Sequence, residues 1–408
     1  MSVTAAPAAS CALHDAGTCR SCPNLALPIP DQLAAKQSHV AALLAEHVPA
    51  ELWQAPAASA PTGFRNKAKM AVAGTAAHPT LGILDGAGCG VDLRACPLHV
   101  PAIEAALPVL ADLITELGLR PYDVPTRRGE LKYVLVTASP DDDLMVRFVL
   151  RSRRYLERLR AAVPDLHRRL PQLAVAAVNI QSVHQAVIEG PEEIVLTEED
   201  RLLMRLSLPS PDGGGQAGRR AESVELPLYL PTRSFFQTNT AVAEALYATA
   251  RDWAEEAEPA RVWDLFCGVG GFALALEAPG RQVLGVEVSA SAIDGARAAA
   301  DLMGLDPALV RFEAGDARVL DPAAGERAGG AQRPDLLVVN PPRRGIGEQL
   351  ATRIETSGVE RVLYSSCNPR TLATDLAHLP SMRVVRSRLF DMFPHTEHAE
   401  VLVELVRD

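Results

Sequence analysis

Val262-Trp-Asp264-Leu-Phe-Cys-Gly268-Val-Gly270-Gly271-Phe272 passes from an apolar run straight into a cluster of three glycines. Such a junction predicts a strand that stops at a sharp turn and opens a helix, because glycine lets the backbone fold back and approach a ligand closely. The turn alone does not name the ligand, since nucleotide dehydrogenases carry a similar one. Its spacing is not G-x-G-x-x-G, and an acid, Asp264, precedes the glycines. Downstream, the runs Val283–Val288, Val310–Glu313, Leu336–Val339, Val362–Tyr364, Val384–Leu389 and Val401–Val406 repeat the strand pattern. Helical stretches separate the first several, which predicts parallel βαβ units in a doubly wound sheet. Only Phe393–Glu400 joins the last two runs, too little for a crossover, so the seventh strand is expected to run antiparallel.

Seven strands with the last reversed is the layout of a Rossmann-like methyltransferase domain, and Asp264 with its glycines resembles methyltransferase motif I. Glu287 ends the second strand, where a carboxylate can accept both ribose hydroxyls of NAD or S-adenosylmethionine alike. Asp316 follows the third strand and has two readings, an acceptor for an adenine amino group or a helix N-cap. Asn340-Pro341-Pro342-Arg343-Arg344, at the end of the fourth, separates the cofactors: Asn/Asp-Pro-Pro there is a methyltransferase feature.

Strand five runs directly into Ser365-Ser366-Cys367-Asn368-Pro369, a turn at the carboxyl edge, where open α/β sheets bind ligands. A cysteine inside a strand is ordinarily inert core; one in an exposed polar turn is a candidate nucleophile. Pro394-His395-Thr396-Glu397-His398-Ala399-Glu400 lies between strands six and seven. If the reversed strand inserts between strands five and six, Glu400 starts beside the end of strand five and faces the substrate of Cys367. Glu397 is the rival, expected to point to solvent. A thiolate and a separate base suit carbon methylation of a pyrimidine: addition at C6 makes C5 nucleophilic, and a base then takes the C5 proton.

The chain has 408 residues and is 48% hydrophobic, enough for two or more cores. No stretch approaches the ~20 apolar residues of a membrane helix. Met1–Ser10 is small and neutral and reads as a frayed start, so a cytoplasmic protein is expected. A net charge of −10 excludes a protein basic all over. The Arg147–Arg169 stretch is nevertheless basic, either a phosphate-binding face or a solvated helix face, and Arg343-Arg344 is a second candidate for phosphate contact. The seven cysteines are an odd number, and Cys11, Cys19 and Cys22 crowd the N-terminus, which suggests metal rather than disulfides. Pro209–Ala221 and Asp321–Pro334 read as long loops.

Phe235-Phe-Gln237-Thr-Asn239, the Asp264 glycine turn, Asn340-Pro-Pro-Arg-Arg-Gly, Ser365-Ser-Cys-Asn-Pro and Phe393-Pro-His-Thr-Glu-His-Ala-Glu400 occur in that order. On these five motifs the chain resembles the bacterial class I RNA 5-methyluridine methyltransferases over essentially its whole length. The resemblance implies that Gln237, Phe266, Glu287 and Asn340 contact S-adenosylmethionine, that Cys367 is the nucleophile and that Glu400 is the proton acceptor. It implies too that Cys11, Cys19, Cys22 and Cys96 bind the [4Fe-4S] cluster of the ribosomal RNA enzymes, which the tRNA enzyme lacks. Four thiolates without paired histidines suit iron–sulfur, with zinc as the alternative; Cys89 is expected to be a bystander. The absence of room for an N-terminal β-barrel before Cys11, and Asn340 in place of aspartate, point to the compact branch acting on 23S ribosomal RNA. The expected organisation is an iron–sulfur region (1–30 plus about 75–100), a central α+β RNA-binding domain (31–234) and the methyltransferase domain (235–408). The target uracil must be unpaired or flipped out of its stack. Two rivals stand beside this assignment: an exocyclic-amine methyltransferase, which needs no thiol, and a non-catalytic RNA-binding metalloprotein.

Overall fold

The computed structural model describes residues 9–185, 187–209, 223–319 and 333–408. The expected frayed start and the two long loops fall largely outside them. Two compact units divide the chain: one holds Pro23–Ala60 and Arg205–Asp408, the other Ala9–Cys22 and Pro61–Met204.

The second unit contains strands β1 (Lys67–Gly74), β2 (Pro79–Leu84), β3 (Gly90–Asp92), β4 (Leu131–Ala138), β5 (Leu144–Leu150), β6 (Leu173–Ile180) and β7 (Glu192–Val195). They form one sheet in the order β3-β2-β1-β4-β5-β6-β7. All neighbours are antiparallel except β5 and β6, which the helix Leu156–Arg169 joins by a crossover. That helix and Pro101–Glu116 bury their apolar stripes in one core with Val134, Val146 and Phe148. Part of the basic stretch is paired within the protein. Arg147 lies on β5 with only 2% of its surface exposed, held by Glu193 at 2.7 Å and Glu189 at 3.0 Å. A charge taken out of water needs such partners, so this arginine is internal. Of the others, Arg160 pairs with Glu157 at 3.1 Å and Arg169 with Glu116 at 2.9 Å, while Arg153 and Arg168 meet Glu192 and Asp165.

The first unit carries β10 (Arg261–Leu265), β11 (Gln282–Glu287), β12 (Val310–Ala314), β13 (Leu336–Val339), β14 (Arg361–Ser366), β15 (Met382–Phe390) and β16 (Glu400–Arg407). Strands β8 (Arg201–Pro209), where the chain passes between units, and β9 (Ser223–Pro231) form a two-stranded sheet. The large sheet runs β12-β11-β10-β13-β14-β16-β15, and β16 is antiparallel to both its neighbours. Every residue of β13 is buried, as a central strand covered on both faces requires. Helices begin where the sequence supplies caps: the side chains of Asn239, Ser289 and Asn368 accept from the first-turn N–H groups of Thr240–Ala257, Ala290–Leu302 and Pro369–Ala377.

Residues 31–60 cluster with this unit, whereas the expected division placed them in the central domain. The helix Ile29–Leu43 and the turn after it bury Val40, Leu44 and Val48 in the same core as Leu372, Leu376 and Tyr364. Beyond them the chain lies along the edge strand β15, with Gln54 N donating to Ser387 O and Ala57 N to Leu389 O at 2.8 Å each. This covers an otherwise open strand edge, an arrangement that hydrophobic periodicity in 31–60 could not reveal. Among the described residues no helix is long and apolar enough to cross a membrane.

Candidate active site

The carboxyl ends of β10, β11, β13 and β14 open into a cavity of about 630 Å³. Gln237, Phe266, Glu287, Asp316 and Asn340 all line it, and so do Cys367 and Glu400. Seven side chains from seven separate stretches of sequence therefore meet in one place.

The turn after β10 is shaped by burial and by backbone that most residues avoid. Asp264 is fully buried; its Oδ2 accepts from Ala273 N at 3.0 Å, tying the strand end to the helix Gly271–Ala275. Burial, reinforced by the charge of Glu287, pushes its carboxyl up to about 8. Its Oδ1 is buried with no hydrogen-bond partner among the described residues. Phe266 has φ +68°, a left-handed conformation that is strained for an aromatic residue and recurs at ligand sites. At Gly270, φ +88°, a Cβ would come within 3.2 Å of Ala296 and of the Phe312 ring, so the close approach of this turn needs glycine.

Glu287 Oε1 accepts from Ser289 N at 2.9 Å, which orients the carboxylate at the end of β11. Asp316 accepts from Arg318 N at 3.0 Å and from the Arg318 guanidinium at 2.7 Å. These bonds hold its carboxyl down at about 2. It caps the short turn Ala317–Val319 and also lines the cavity, so its two alternative readings are compatible.

The loop after Asn340 is fastened from behind. Arg343 O accepts from Asn368 Nδ2 at 2.9 Å and from Thr371 Oγ1 at 3.2 Å. Buried Asp375 accepts from Ile346 N at 3.0 Å, Gly347 N at 3.2 Å and Tyr364 OH at 2.6 Å. The Asn340 loop and the Cys367 turn are thereby locked to each other.

Cys367 is half-buried. Burial is the main cause raising its thiol pKa, and the carboxylate of Glu400 adds to it; the Arg343 guanidinium opposes both by charge and by a hydrogen bond. Glu400 opens β16, where Val401 pairs with Ser366 of β14. This register brings it beside the Cys367 turn across 33 positions of sequence. Only 2% of it is exposed, Ser365 Oγ donates to its Oε1 at 2.5 Å, and burial pushes the carboxyl up to about 7. A carboxylate poised near neutrality is matched to proton removal. Glu397 is exposed, as expected. Two contacts escaped the sequence: Ser365 as a partner of the Glu400 carboxylate, and Arg343 as a partner of the Cys367 thiol.

The N-terminal cysteines lie in the other unit. Burial pushes Cys22 up to about 11, and the thiols of Cys96, Cys19 and Cys11 contribute in that order. Cys96 is raised by burial and likewise feels Cys11 and Cys19. The four thiols are thus electrostatic neighbours, with the Arg65 guanidinium beside Cys22 and Cys96, whereas Cys89 is exposed. Among the described residues no group of three or more Cys, His, Asp or Glu side chains is placed to hold a metal ion.

A family model described as tRNA (Uracil-5-)-methyltransferase matches residues 225–408. Over 97% of its length the chain is 49% identical to a 23S rRNA (uracil(747)-C(5))-methyltransferase RlmC of Halothiobacillus neapolitanus, covering 99% of that protein. The chain belongs to the RNA uracil-C5 methyltransferase family. RlmC of Escherichia coli K12 is 46% identical over 97% of the chain and 99% of its own length. The solved Pyrococcus abyssi tRNA (uracil-54, C5)-methyltransferase, in complex with S-adenosyl-L-homocysteine, matches with a TM-score of 0.73. That match covers 94% of this chain and 85% of the other at 23% identity, and it shows the fold these uracil-C5 methyltransferases share.

Proposed function

We propose that the protein transfers a methyl group from S-adenosylmethionine to C5 of a uracil in 23S ribosomal RNA, at the position corresponding to uracil 747. One observation carries the chemistry: Cys367 and Glu400 share one cavity with the five residues expected to contact the cofactor. The cavity fits that cofactor, with an oriented carboxylate, Glu287, at the end of β11 and a glycine turn that admits close approach. Gln237, Phe266, Glu287 and Asn340 would hold it, with Asp316 toward the adenine. When bound, it supplies an electrophilic methyl group.

Cys367, as thiolate, forms an S–C6 bond to the uracil and drives an electron pair onto C5, where the methyl is received. Glu400, as carboxylate, removes the C5 proton. The C5–C6 double bond re-forms, the S–C6 bond breaks, and its electron pair returns to the sulfur. Arg343 favours the thiolate, and Ser365 holds the carboxylate in place. A stacked, paired uracil hides C6, so the base is read as unpaired or flipped into the cavity.

Cys11, Cys19, Cys22 and Cys96 suit a [4Fe-4S] cluster. The donor set carries this reading: four thiols that are electrostatic neighbours, with no paired histidines; zinc is the alternative. No step of the methyl transfer calls for redox chemistry, so the cluster's role is structural, within a cytoplasmic enzyme.

The deciding experiment is incubation with S-adenosylmethionine and 23S RNA containing 5-fluorouridine. Fluorine at C5 cannot leave as a proton does, so a covalent protein–RNA complex should accumulate and map to Cys367. An active enzyme that formed no such complex, or Cys367→Ala retaining turnover, would refute the mechanism.

A further inference from the structure

The motif that ends in Glu400 contains more than a base. Between β15 and β16 the turn Asp391–Ala399 carries Phe393 into the cavity wall and delivers Glu400. Two side chains of the helix Ile29–Leu43, one helical turn apart, reach into this turn and are themselves almost wholly buried. Lys36 Nζ donates to Asp391 Oδ1 at 2.5 Å and to Phe393 O at 2.9 Å. Gln32 Oε1 accepts from His395 N at 2.8 Å, and its Nε2 lies 3.1 Å from His395 Nδ1. The same Nε2 reaches Leu27 O at 2.8 Å and Asn24 O at 3.0 Å. Asn24 N closes the circuit by donating to His395 O at 3.0 Å.

This investment is unusual for a surface turn. Asp391 and His395 are fully buried, and His395 holds φ +65°, a left-handed conformation that persists only where surrounding bonds over-determine it. A buried lysine is favourable only with its partner in place, so separating Lys36 from Asp391 would strand two buried charges. Gln32 supplies both a donor and an acceptor, which sets the turn's orientation as well as its distance. The polar cost falls on a segment whose next residues are Ala399 and Glu400.

We propose that Lys36 and Gln32 are positioning residues that clamp the Asp391–His395 turn and so aim the Glu400 carboxylate at the C5 proton. This rests on Glu400 being the base. The bond-forming partners, Cys367 and the bound cofactor, are carried by other elements, so a loosened clamp leaves thiol addition and methyl transfer intact and delays proton removal. The C5-methylated S–C6 adduct then builds up on ordinary uridine RNA.

The test uses the full-length enzyme, unmodified 23S RNA and methyl-labelled S-adenosylmethionine. K36M/D391L removes both buried charges together, because removing one strands the other; Q32A is the independent second variant, and E400Q is the reference. Circular dichroism and thermal midpoint select the folded preparations. A displacement on the order of 1 Å can cost up to about 100-fold in rate. The expected result is turnover reduced at least about tenfold, first-turnover label transfer within about twofold, and a denaturation-resistant labelled protein–RNA complex. Turnover near wild type with no complex, or slow turnover without the complex, overturns the clamp. If E400Q itself accumulates no complex, the assignment of Glu400 as base has failed; if E400Q does and the clamp variants do not, the clamp alone has failed.

Discussion

Replacing Glu400 by glutamine should stabilise the protein while stopping its chemistry. Burial raises this carboxyl from 4.5 to about 7, so folding favours its neutral form. Below pH 4.5 the group is protonated in folded and unfolded chains alike and costs nothing. Between pH 4.5 and 7 the unfolded chain ionises first, and stability is lost; above about 7 the loss is complete, at about 3 kcal/mol. Glutamine retains a carbonyl oxygen to accept from Ser365 Oγ and carries no charge, so E400Q escapes the penalty. For a unit of this size about 3 kcal/mol corresponds to roughly 6–12 °C in the thermal midpoint. Paired melting curves of wild type and E400Q from pH 4.5 to 8 should coincide at the acid end and diverge toward the alkaline end, with the variant the more stable. Parallel curves would show that Glu400 is already ionised in the folded protein and would remove the physical basis for its role. In wild type the same titration sets activity: turnover should rise with pH through about 7 as the carboxylate forms, and further as the Cys367 thiol ionises.

Gly345→Ala places a Cβ 2.2 Å from Asp375 Oδ2 at φ +78°, and a loss of about 1–3 kcal/mol is expected from the denaturant midpoint; an unchanged midpoint would mean the Asn340 loop is not locked as described. Arg343→Gln removes the cation that favours the Cys367 thiolate, so alkylation of Cys367 at pH 8 should slow and its pH profile move to higher pH. An alkylation rate equal to wild type would exclude Arg343 from activating the thiol. Cys22→Ser should abolish bound iron and acid-labile sulfide and lower the thermal stability of its unit, whereas purified wild-type protein holding zinc in place of iron and sulfide would identify the alternative metal. If the proposed cluster is present, its mild oxidation should leave turnover per folded molecule unchanged, and a change without unfolding would end the structural assignment.

The candidate site positions were legible in the sequence because each sits at the punctuation of a strand: Gly268–Gly271 after β10, Glu287 at the end of β11, Asn340 after β13, Cys367 after β14 and Glu400 at the start of β16. Hydrophobic runs and glycine or proline breaks are local signals, and parallel βαβ winding brings their carboxyl ends to one edge without further information. Even the pairing of Cys367 with Glu400 followed from the expected strand order. Non-local electrostatics and packing were invisible. The stretch Arg147–Arg169 advertises positive charge, yet the carboxylates that pair with Arg147 and Arg153, Glu189, Glu192 and Glu193, arrive from a distant strand and loop. Residues 31–60 read as an ordinary helix and linker, and only tertiary pairing along β15 and the core around Val40 and Leu44 assigns them to the catalytic unit. Lys36 and Gln32 look like solvent-facing helix residues in one dimension; what buries them is a turn more than 350 positions away. Sequence by itself determined which side chains are candidates to react and at which strand ends they stand, because those depend on residue type and local periodicity. Tertiary structure alone decided how acidic, how buried and how firmly held those atoms are, because burial and partner geometry depend on neighbours that no local pattern encodes.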